Sequence, residues 1–148
     1  MKKIILASDH GGFELKEQIK LYLTKKGLEF VDVGAFSFDA KDNYPDFVTP
    51  LVKQVRANKN SIGIYACRMG TGPAMMANRF SGVRAAVCTS VDYAYFAREH
   101  QDANVLCVGG DVLTMEQTRE VIDVFLNTKY GGGRHQVRID AFDKLGEK

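Results

Sequence analysis

The feature that most constrains the fold of this chain is the regular alternation of short apolar runs with amphipathic segments. Five apolar runs are separated by segments whose apolar residues recur mostly every three or four positions. The runs predict buried strands, and the amphipathic segments predict helices. Because strands and helices alternate, we predict an α/β domain in which helices cover both faces of a five-stranded parallel sheet.

The predicted elements follow one another along the whole chain. Strands are predicted at 3–8, 29–33, 61–66, 84–89 and 104–108. Helices are predicted at 12–26, 44–58, 72–80, 92–101 and 114–128, and a last, basic helix at 134–144 follows a triple-glycine hinge. The sequence has no internal repeat, low-complexity tract or long linker. We therefore predict that residues 1–148 form a single domain that is long enough to bury a core.

The charge balance and the cysteines narrow the class of protein. The chain has 20 Lys and Arg against 18 Asp and Glu, a net charge of +2, which predicts no general nucleic-acid or membrane surface. No apolar run approaches the roughly 18 residues of a membrane span, and the start of the chain lacks a signal-peptide pattern. Cys67, Cys88 and Cys107 form no CxxC pair, which indicates reduced thiols in a cytoplasmic protein.

Cys67 ends the third predicted strand, and a glycine-containing turn leads from it into a helix. In an open α/β sheet, ligands bind outside the carboxyl ends of the strands. A thiol there lies close to backbone N–H groups and to a helix N-terminus, which favours the thiolate. We therefore predict that Cys67 is a nucleophile or a base whose pKa is lowered from about 8.5 toward neutrality. The backbone N–H groups of Gly70 to Gly72 are predicted to form an anion hole.

Two other strand boundaries contain polar side chains. Asp9 and His10 follow the first strand and so are expected at the same sheet edge as Cys67. The alternative is that Asp9 only caps the next helix. His100 lies just before the fifth strand and is either a site residue or a solvated helix end, where a protonated imidazole is favourable.

Arg134 and Arg138 are four residues apart, so both project from one face of the last helix. Two guanidinium groups at a helix start suit a phosphate dianion. A solvated basic face has the same pattern and is the alternative. The three histidines of the chain, His10, His100 and His135, all lie within these candidate segments, and this grouping favours a site.

Short motifs are spread over nearly the whole chain. They are Ser8-Asp9-His10-Gly11-Gly12, Tyr44-Pro45-Asp46, the Cys67 loop, Ala77-Asn78-Arg79, Gly82-Val83-Arg84-Ala85-Ala86, Arg98-Glu99-His100 with Asn104-Val105-Leu106, and Gly132-Gly133-Arg134-His135 with Arg138. In order and spacing they resemble the ribose-5-phosphate isomerase B family, which also includes the galactose-6-phosphate isomerase subunits. The joint pattern is far more specific than any one motif.

The resemblance implies a three-layer Rossmann-like (flavodoxin-like) fold and an aldose–ketose isomerase that needs no metal and no cofactor. The default reaction is the conversion of ribose 5-phosphate to ribulose 5-phosphate through an enediolate, in the pentose phosphate pathway. The resemblance also implies a homodimer or a dimer of dimers in which two subunits build each active site.

The resemblance also implies roles for individual residues. Cys67 matches the base that moves a proton between C1 and C2, and His100 matches the group that assists ring opening. Asp9 and His10 match residues that line the sugar and phosphate site, and Asp9 is also expected to be catalytic. Substrate and phosphate are expected to bind at His10, Tyr44, Arg68, Gly70, Thr71, Gly72, Asn78, Arg134 and Arg138. The two arginines serve either their own subunit's cysteine or the neighbour's.

The sequence departs from the family pattern beside the thiol. The family loop usually reads Cys-Gly-Thr-Gly-x-Gly, whereas this chain places Arg68 and Met69 after Cys67, and Asp111 stands where many relatives have an arginine. Arg68 is expected to crowd the site, to lower the pKa of Cys67 or to bind an anionic group. Two alternatives therefore stay open: an isomerase of another (hexose) sugar phosphate, and a non-catalytic sugar-phosphate or nucleotide sensor. A thiol redox protein is disfavoured because no resolving cysteine lies nearby.

Overall fold

Parallel strands form the central sheet of the computed structural model, which describes residues 1–145. The described residues contain five strands, β1 (Lys3–Ser8), β2 (Phe30–Asp32), β3 (Ser61–Cys67), β4 (Ala85–Val87) and β5 (Val105–Gly109). Their order in the sheet is β2-β1-β3-β5-β4. All four pairings are parallel, which confirms the predicted sheet.

The helices lie where the amphipathic segments predict them. They are α1 (Phe13–Lys25), α2 (Pro45–Ala57), α3 (Thr71–Ala77), α4 (Val91–Glu99), α5 (Met115–Asn127) and α6 (Arg134–Asp143). The part of the chain that the structure describes contains no helix with the length and apolar character needed to cross a membrane.

The two faces of the sheet are covered by separate apolar clusters. Ile4 and Leu6 of β1 belong to the cluster that contains apolar residues of α1, α4 and α5. Ile5, between them in sequence, belongs to the cluster that contains residues of α2 and α3. Because successive side chains of a strand point to opposite faces, this division produces three layers. The predicted three-layer α/β fold is confirmed.

The last two strands do not follow their order in the sequence. The flavodoxin-type order is 2-1-3-4-5, whereas β5 here lies between β3 and β4. All five residues of β5 are buried, while the Ala-Ala-Val of β4 is only partly buried. A continuous apolar strand gains more from an interior position than a short, half-buried one. Burial therefore accounts for the exchange of the two strands.

The strand order creates a crevice between β1 and β3. From β1 the chain passes to β2 on one side and then returns to β3 on the other side. Because the chain connections run to opposite sides of the sheet, a crevice opens above the carboxyl ends of β1 and β3. Ligands bind at such switch points in open α/β sheets. Ser8 pairs with Ala66 in the sheet, so Asp9 and Cys67 come next to each other at this point.

A buried ion pair fixes the chain after β2. The side chain of Lys16 is 1% exposed, and its ammonium group lies 2.8 Å from Asp32 Oδ1. The same ammonium group donates to the carbonyl of Ala35. These contacts of Lys16 hold the first residues of the loop between β2 and α2 against α1.

Candidate active site

The thiol of Cys67 lies at the switch point, beside a carboxylate and a turn of backbone N–H groups. Its electrostatic partners are the Asp9 side chain and the backbone N–H groups of Met69 and Gly70. Gly70 has φ 85°, a conformation that glycine adopts without strain, and this turn directs the N–H groups back toward the strand end. The structure therefore brings together the thiol, the carboxylate and the backbone donors that the sequence predicts at this edge.

The pKa of the Cys67 thiol is shifted in the direction opposite to the prediction. Burial raises the pKa, and the N–H groups of Gly70 and Met69 offset this only in part. The hydrogen bond to the Asp9 carboxylate and the negative charge of that group raise the pKa further. The expected lowering is therefore wrong for the free site, because the sequence shows the helix start but not how deeply the sulfur is buried.

Asp9 is itself held by its neighbours. It is 4% exposed, and its Oδ1 accepts the N–H of Gly11 at 2.8 Å, so the capping role is present as well. The phenol oxygen of Tyr65 lies 3.3 Å from Asp9 Oδ2 and 3.3 Å from the carbonyl oxygen of Tyr44. Burial and the nearby Asp9 carboxylate raise the pKa of Tyr65, which keeps this hydroxyl a neutral donor.

Tyr65 is a residue that the sequence analysis missed. It lies within an apolar strand and is 1% exposed, so it has the pattern of a core residue. The available signal was its position two residues before Cys67, because residues i and i+2 of a strand point to the same face.

His10 is paired with a second missed residue, Asp42, in the loop before α2. Its Nδ1 lies 2.7 Å from Asp42 Oδ1, and the same oxygen accepts the backbone N–H of His10 at 2.9 Å. The hydrogen bond to Asp42 raises the pKa of His10. The ring is 36% exposed and is favoured in its cationic form, which suits it to donate to an anionic or hydroxyl-bearing ligand.

The remaining predicted residues of this edge surround the thiol loop. The Tyr44 ring packs against Gly72, where an added Cβ would lie 3.0 Å from the ring. Thr71 is the first residue of α3 and is exposed. Arg68 is exposed and lies against Gly11, where an added Cβ would be 2.7 Å from Arg68 Cγ. These side chains form the rim of the crevice.

The side chain of Asn78 pairs with the backbone of Ala85. Its Nδ2 donates to the carbonyl of Ala85 at 2.9 Å, and its Oδ1 accepts the N–H of Ala85 at 2.7 Å. Through these two hydrogen bonds, the amide group links the end of α3 to the start of β4. One N–H and the oxygen of the exposed amide are thus engaged with Ala85, and the substrate-binding role of Asn78 stays a prediction.

His100 and Arg134 lie at the opposite edge of the sheet. Helix α4 begins after the carboxyl end of β4 and ends at Glu99, so His100 lies near the start of β5. Cys67 pairs with Gly109 at the other end of β5. Six residues of extended chain from Ala103 to Gly109 span about 20 Å, at roughly 3.3 Å per residue.

Arg138 follows Arg134 by one helical turn. Both side chains are exposed on α6, whose start is tied to the end of α4 by the N–H of Gly131, which donates to the carbonyl of Glu99 at 2.9 Å. One chain therefore does not bring its arginines and His100 to its own Cys67.

A cluster of two imidazoles and a carboxylate lies at this amino edge. His100 Nε2 is 2.9 Å from Glu99 Oε2, and the His100 ring stacks on His135 with centroids 4.2 Å apart. His135 is 7% exposed. Burial and the neighbouring His100 lower the pKa of His135, which keeps its ring neutral. His135 was quoted in a motif but given no role, because the path of α6 back to α4 is not visible in the sequence.

Comparison with known proteins identifies the family of this chain. Residues 4–142 match the model of the family described as Ribose/Galactose Isomerase. The chain is 36% identical over 148 residues to the ribose-5-phosphate isomerase B of Escherichia coli strain K12, which covers 100% of this chain and 99% of that protein.

Solved structures show the same likeness. The crystal structure of a ribose 5-phosphate isomerase from Thermotoga maritima matches with a TM-score of 0.93 and 41% identity, over 97% of this chain and 98% of that one. The ribose-5-phosphate isomerase B of Mycoplasma genitalium with bound ribulose-5-phosphate matches with a TM-score of 0.93 and 40% identity, over 97% and 95%. On these matches along its length, the chain belongs to the ribose/galactose isomerase family.

Proposed function

We propose that this protein is an aldose–ketose isomerase that converts ribose 5-phosphate to ribulose 5-phosphate without a metal or another cofactor. The observation that supports this most directly is the contact of Cys67 with Asp9 and two backbone N–H groups at the switch point of the sheet. Relatives named ribose-5-phosphate isomerase B match the chain over its full length, which supports the same activity.

The reaction requires a base and a set of donors. A proton next to a carbonyl is weakly acidic, so a base must remove it from C2 while hydrogen-bond donors stabilise the oxygen of the enediolate. We assign the base to the thiolate of Cys67, which returns the proton to C1, and the donors to the N–H groups from Gly70 to Gly72. The hydroxyl proton passes from O2 to O1, which completes the isomerisation.

Asp9 and His10 supply the remaining functions at this edge. Because the pKa of Cys67 is raised, the thiol must lose its proton before it acts, and Asp9 is the carboxylate in contact with it. His10, held by Asp42, offers a cationic donor to the substrate. The proposed proton path therefore uses groups that are neighbours at the ends of β1 and β3 in the free protein.

The phosphate group is assigned to a second copy of the chain. We infer a homodimer or a dimer of dimers in which His100, Arg134 and Arg138 of one subunit face Cys67 of another. The separation of about 20 Å between Ala103 and Gly109 supports this, because His100 and Cys67 of one chain lie at opposite edges of the sheet. Tyr93 and Phe96 of α4 are 64% and 48% exposed and offer an apolar surface for such contact.

A second candidate is an isomerase of another sugar phosphate, such as a hexose phosphate. It is favoured by the rim of the crevice, where the backbone of Asp111 donates to the carbonyl of Arg68 at 3.1 Å. Both departures from the family pattern therefore lie at one place, between the ends of β3 and β5. A positive and a negative side chain there would change which anionic substrate is accepted.

Turnover of ribose 5-phosphate by chelator-treated protein, beside a panel of hexose phosphates, tests the proposal. We expect ribulose 5-phosphate to form, and Cys67→Ala to lower kcat by about 10²–10⁴-fold, as loss of a positioned base does. Substrate binding by Cys67→Ala should persist. Cys88→Ala is the matched control, because Cys88 is a buried thiol of the apolar core and its loss should leave turnover in place.

Two other outcomes of this experiment would each favour one of the alternative functions. Turnover of a hexose phosphate but not of ribose 5-phosphate would contradict the proposed substrate and favour the second candidate. Binding without turnover of any sugar phosphate would contradict the isomerase and favour the sensor.

A further inference from the structure

The hydroxyl of Tyr65 is a buried polar group that the proposed proton path does not use. Tyr65 is 1% exposed and belongs to the apolar cluster that contains residues of α2 and α3. A buried phenol usually finds a hydrogen-bond partner, because an unpaired polar group in the interior costs free energy. Its oxygen lies 3.3 Å from Asp9 Oδ2 and 3.3 Å from the Tyr44 carbonyl oxygen, so its single proton is directed at one of these two acceptors.

The carbonyl of Tyr44 is already supplied with donors. Tyr44 directly precedes α2, and its carbonyl oxygen accepts the backbone N–H groups of Phe47 at 3.1 Å and of Val48 at 2.9 Å. A carbonyl oxygen has two lone pairs, and these two N–H groups occupy them. The hydroxyl proton of Tyr65 is therefore directed at Asp9, and Tyr65 is the donor in that contact.

The carboxylate of Asp9 needs this donor because it is buried. Asp9 is 4% exposed, and its Oδ1 accepts the N–H of Gly11 at 2.8 Å. Its Oδ2 faces the Tyr65 hydroxyl. A buried carboxylate is costly unless hydrogen bonds replace the water that it has lost. With one donor on each oxygen, the carboxylate group can turn only by breaking one of these two contacts.

Tyr65 and Cys67 reach Asp9 from the same strand. They are residues i and i+2 of β3, so both side chains point to one face of the sheet. Asp9 follows Ser8 of β1, which pairs with Ala66 between them. The backbone of β3 therefore sets the separation of the phenol and the thiol, and a carboxylate that is held by the phenol is held beside the thiol.

The charged groups around Tyr65 keep its hydroxyl protonated. Burial raises the pKa of Tyr65, and the negative charges of Asp9, Cys67 and Asp42 raise it further. His10 is the cation of this group, and its hydrogen bond to Asp42 and the charge of Asp9 raise its pKa. The phenol therefore remains a donor while a proton moves between the thiol and the carboxylate.

We propose that Tyr65 is a positioning residue of the isomerase, whose hydroxyl holds the Asp9 carboxylate in place to receive the proton of the Cys67 thiol. This inference rests on the proposed function. In that step the S–H bond of the thiol breaks, an O–H bond forms on Asp9, and Tyr65 keeps its own proton. The 3.3 Å contact is long for an O–H···O hydrogen bond, and such contacts in free enzymes often tighten when the substrate binds.

A double-mutant cycle between Tyr65 and Asp9 tests this role. Tyr65→Phe removes one oxygen and keeps the ring, so kcat for ribose 5-phosphate should fall by about 10-fold, the effect of a hydrogen bond to a charged group, with little change in KM. In an Asp9→Ala background the same substitution should have almost no further effect, because Tyr65 acts through the carboxylate. Tyr22→Phe is the matched control, since it removes a tyrosine hydroxyl from α1 and should leave kcat unchanged. An unchanged kcat in Tyr65→Phe, or equal losses in the two backgrounds, would overturn the proposal.

Alkylation of Cys67 by iodoacetamide supplies a measurement that needs no turnover. The thiolate is the form that reacts, and it forms beside a carboxylate whose charge the Tyr65 hydroxyl partly offsets. Tyr65→Phe should therefore slow alkylation at neutral pH by about 2–5-fold, the size of a net hydrogen bond, and should leave the rate unchanged in Asp9→Ala. Equal rates in Tyr65→Phe and the wild type would overturn the proposal. This pattern in a protein without isomerase activity would contradict the proposed function and support the hold of Tyr65 on Asp9.

The folding of Tyr65→Phe is checked by circular dichroism and thermal unfolding. If that variant does not fold, NMR of the wild type and of Asp9→Ala decides the case. We expect the buried hydroxyl proton of Tyr65 to exchange slowly enough to be observed, and its resonance should move in Asp9→Ala. A resonance that stays in place would show that the proton is not directed at Asp9, which would overturn the proposal.

Discussion

The two edges of the sheet are built in different ways. At the carboxyl edge, Asp9 and Cys67 meet because β1 and β3 pair in register, so the backbone of the sheet sets their separation. At the amino edge, His100 and His135 meet because the end of α4 packs against the start of α6. The first edge contains a thiol, a carboxylate and backbone donors, and the second contains two arginines and two imidazoles. In the proposed function each edge is half of a sugar-phosphate site, so that a single chain would be incomplete.

Subunit complementation tests this division and has the largest expected effect. Cys67→Ala alone and the double variant Arg134→Ala/Arg138→Ala alone should show almost no turnover at low substrate concentration. Coexpression of the two should restore roughly a quarter of wild-type turnover, because random pairing makes half of the dimers mixed and each mixed dimer has one intact site. The measurement is turnover of ribose 5-phosphate by the purified mixture.

The matched control combines two variants that each change a residue of the carboxyl edge. A mixture of Cys67→Ala with Asp9→Asn has a damaged carboxyl edge in every subunit, so no intact site can form and no turnover should return. Recovery in this control would show that the two edges are not the units of complementation. Absence of recovery in the first mixture would contradict the shared site.

The carboxyl edge could be predicted from the sequence more completely than the amino edge. Asp9, His10 and Cys67 end neighbouring parallel strands, and such ends share one edge whatever the loops do. Asp42 could not be chosen from the sequence, because it lies in an irregular loop whose path depends on contacts such as that of Lys16 with Ala35. The orientation of a helix end toward another helix is equally invisible, which is why His135 was missed.

Two further points needed the three-dimensional structure. The direction of the Cys67 pKa shift depends on how deeply the sulfur is buried, and a strand-to-helix motif does not report depth. The exchange of β4 and β5 in the sheet depends on which strand is buried on both sides. The apolar run of residues 105–108 is the sequence signal that could have placed β5 in the interior.

The arginines of the amino edge should affect substrate binding more than the chemical step. Each guanidinium–phosphate hydrogen bond contributes about 1.5–3 kcal/mol, so removal of both arginines should raise KM by at least roughly 10–100-fold. We expect a smaller change in kcat, measured by steady-state kinetics with ribose 5-phosphate. Arg119→Ala, an exposed arginine on α5, is the control and should leave KM unchanged. An unchanged KM in the double variant would remove Arg134 and Arg138 from the phosphate site.

The smallest expected effect concerns a single proton at the carboxyl edge. Asp42 raises the pKa of His10 above the ordinary value of 6.5, so Asp42→Asn should return it toward that value. A raised pKa stabilises the fold below the ordinary pKa, and this contribution is lost as the pH rises through the raised value. NMR titration of the imidazole protons measures the change, and His135, which is buried on α6, is the internal control that should not move. If all three histidines shifted together, Asp42 would be acting on the fold as a whole; a shift confined to His10 assigns Asp42 as the residue that keeps this donor charged.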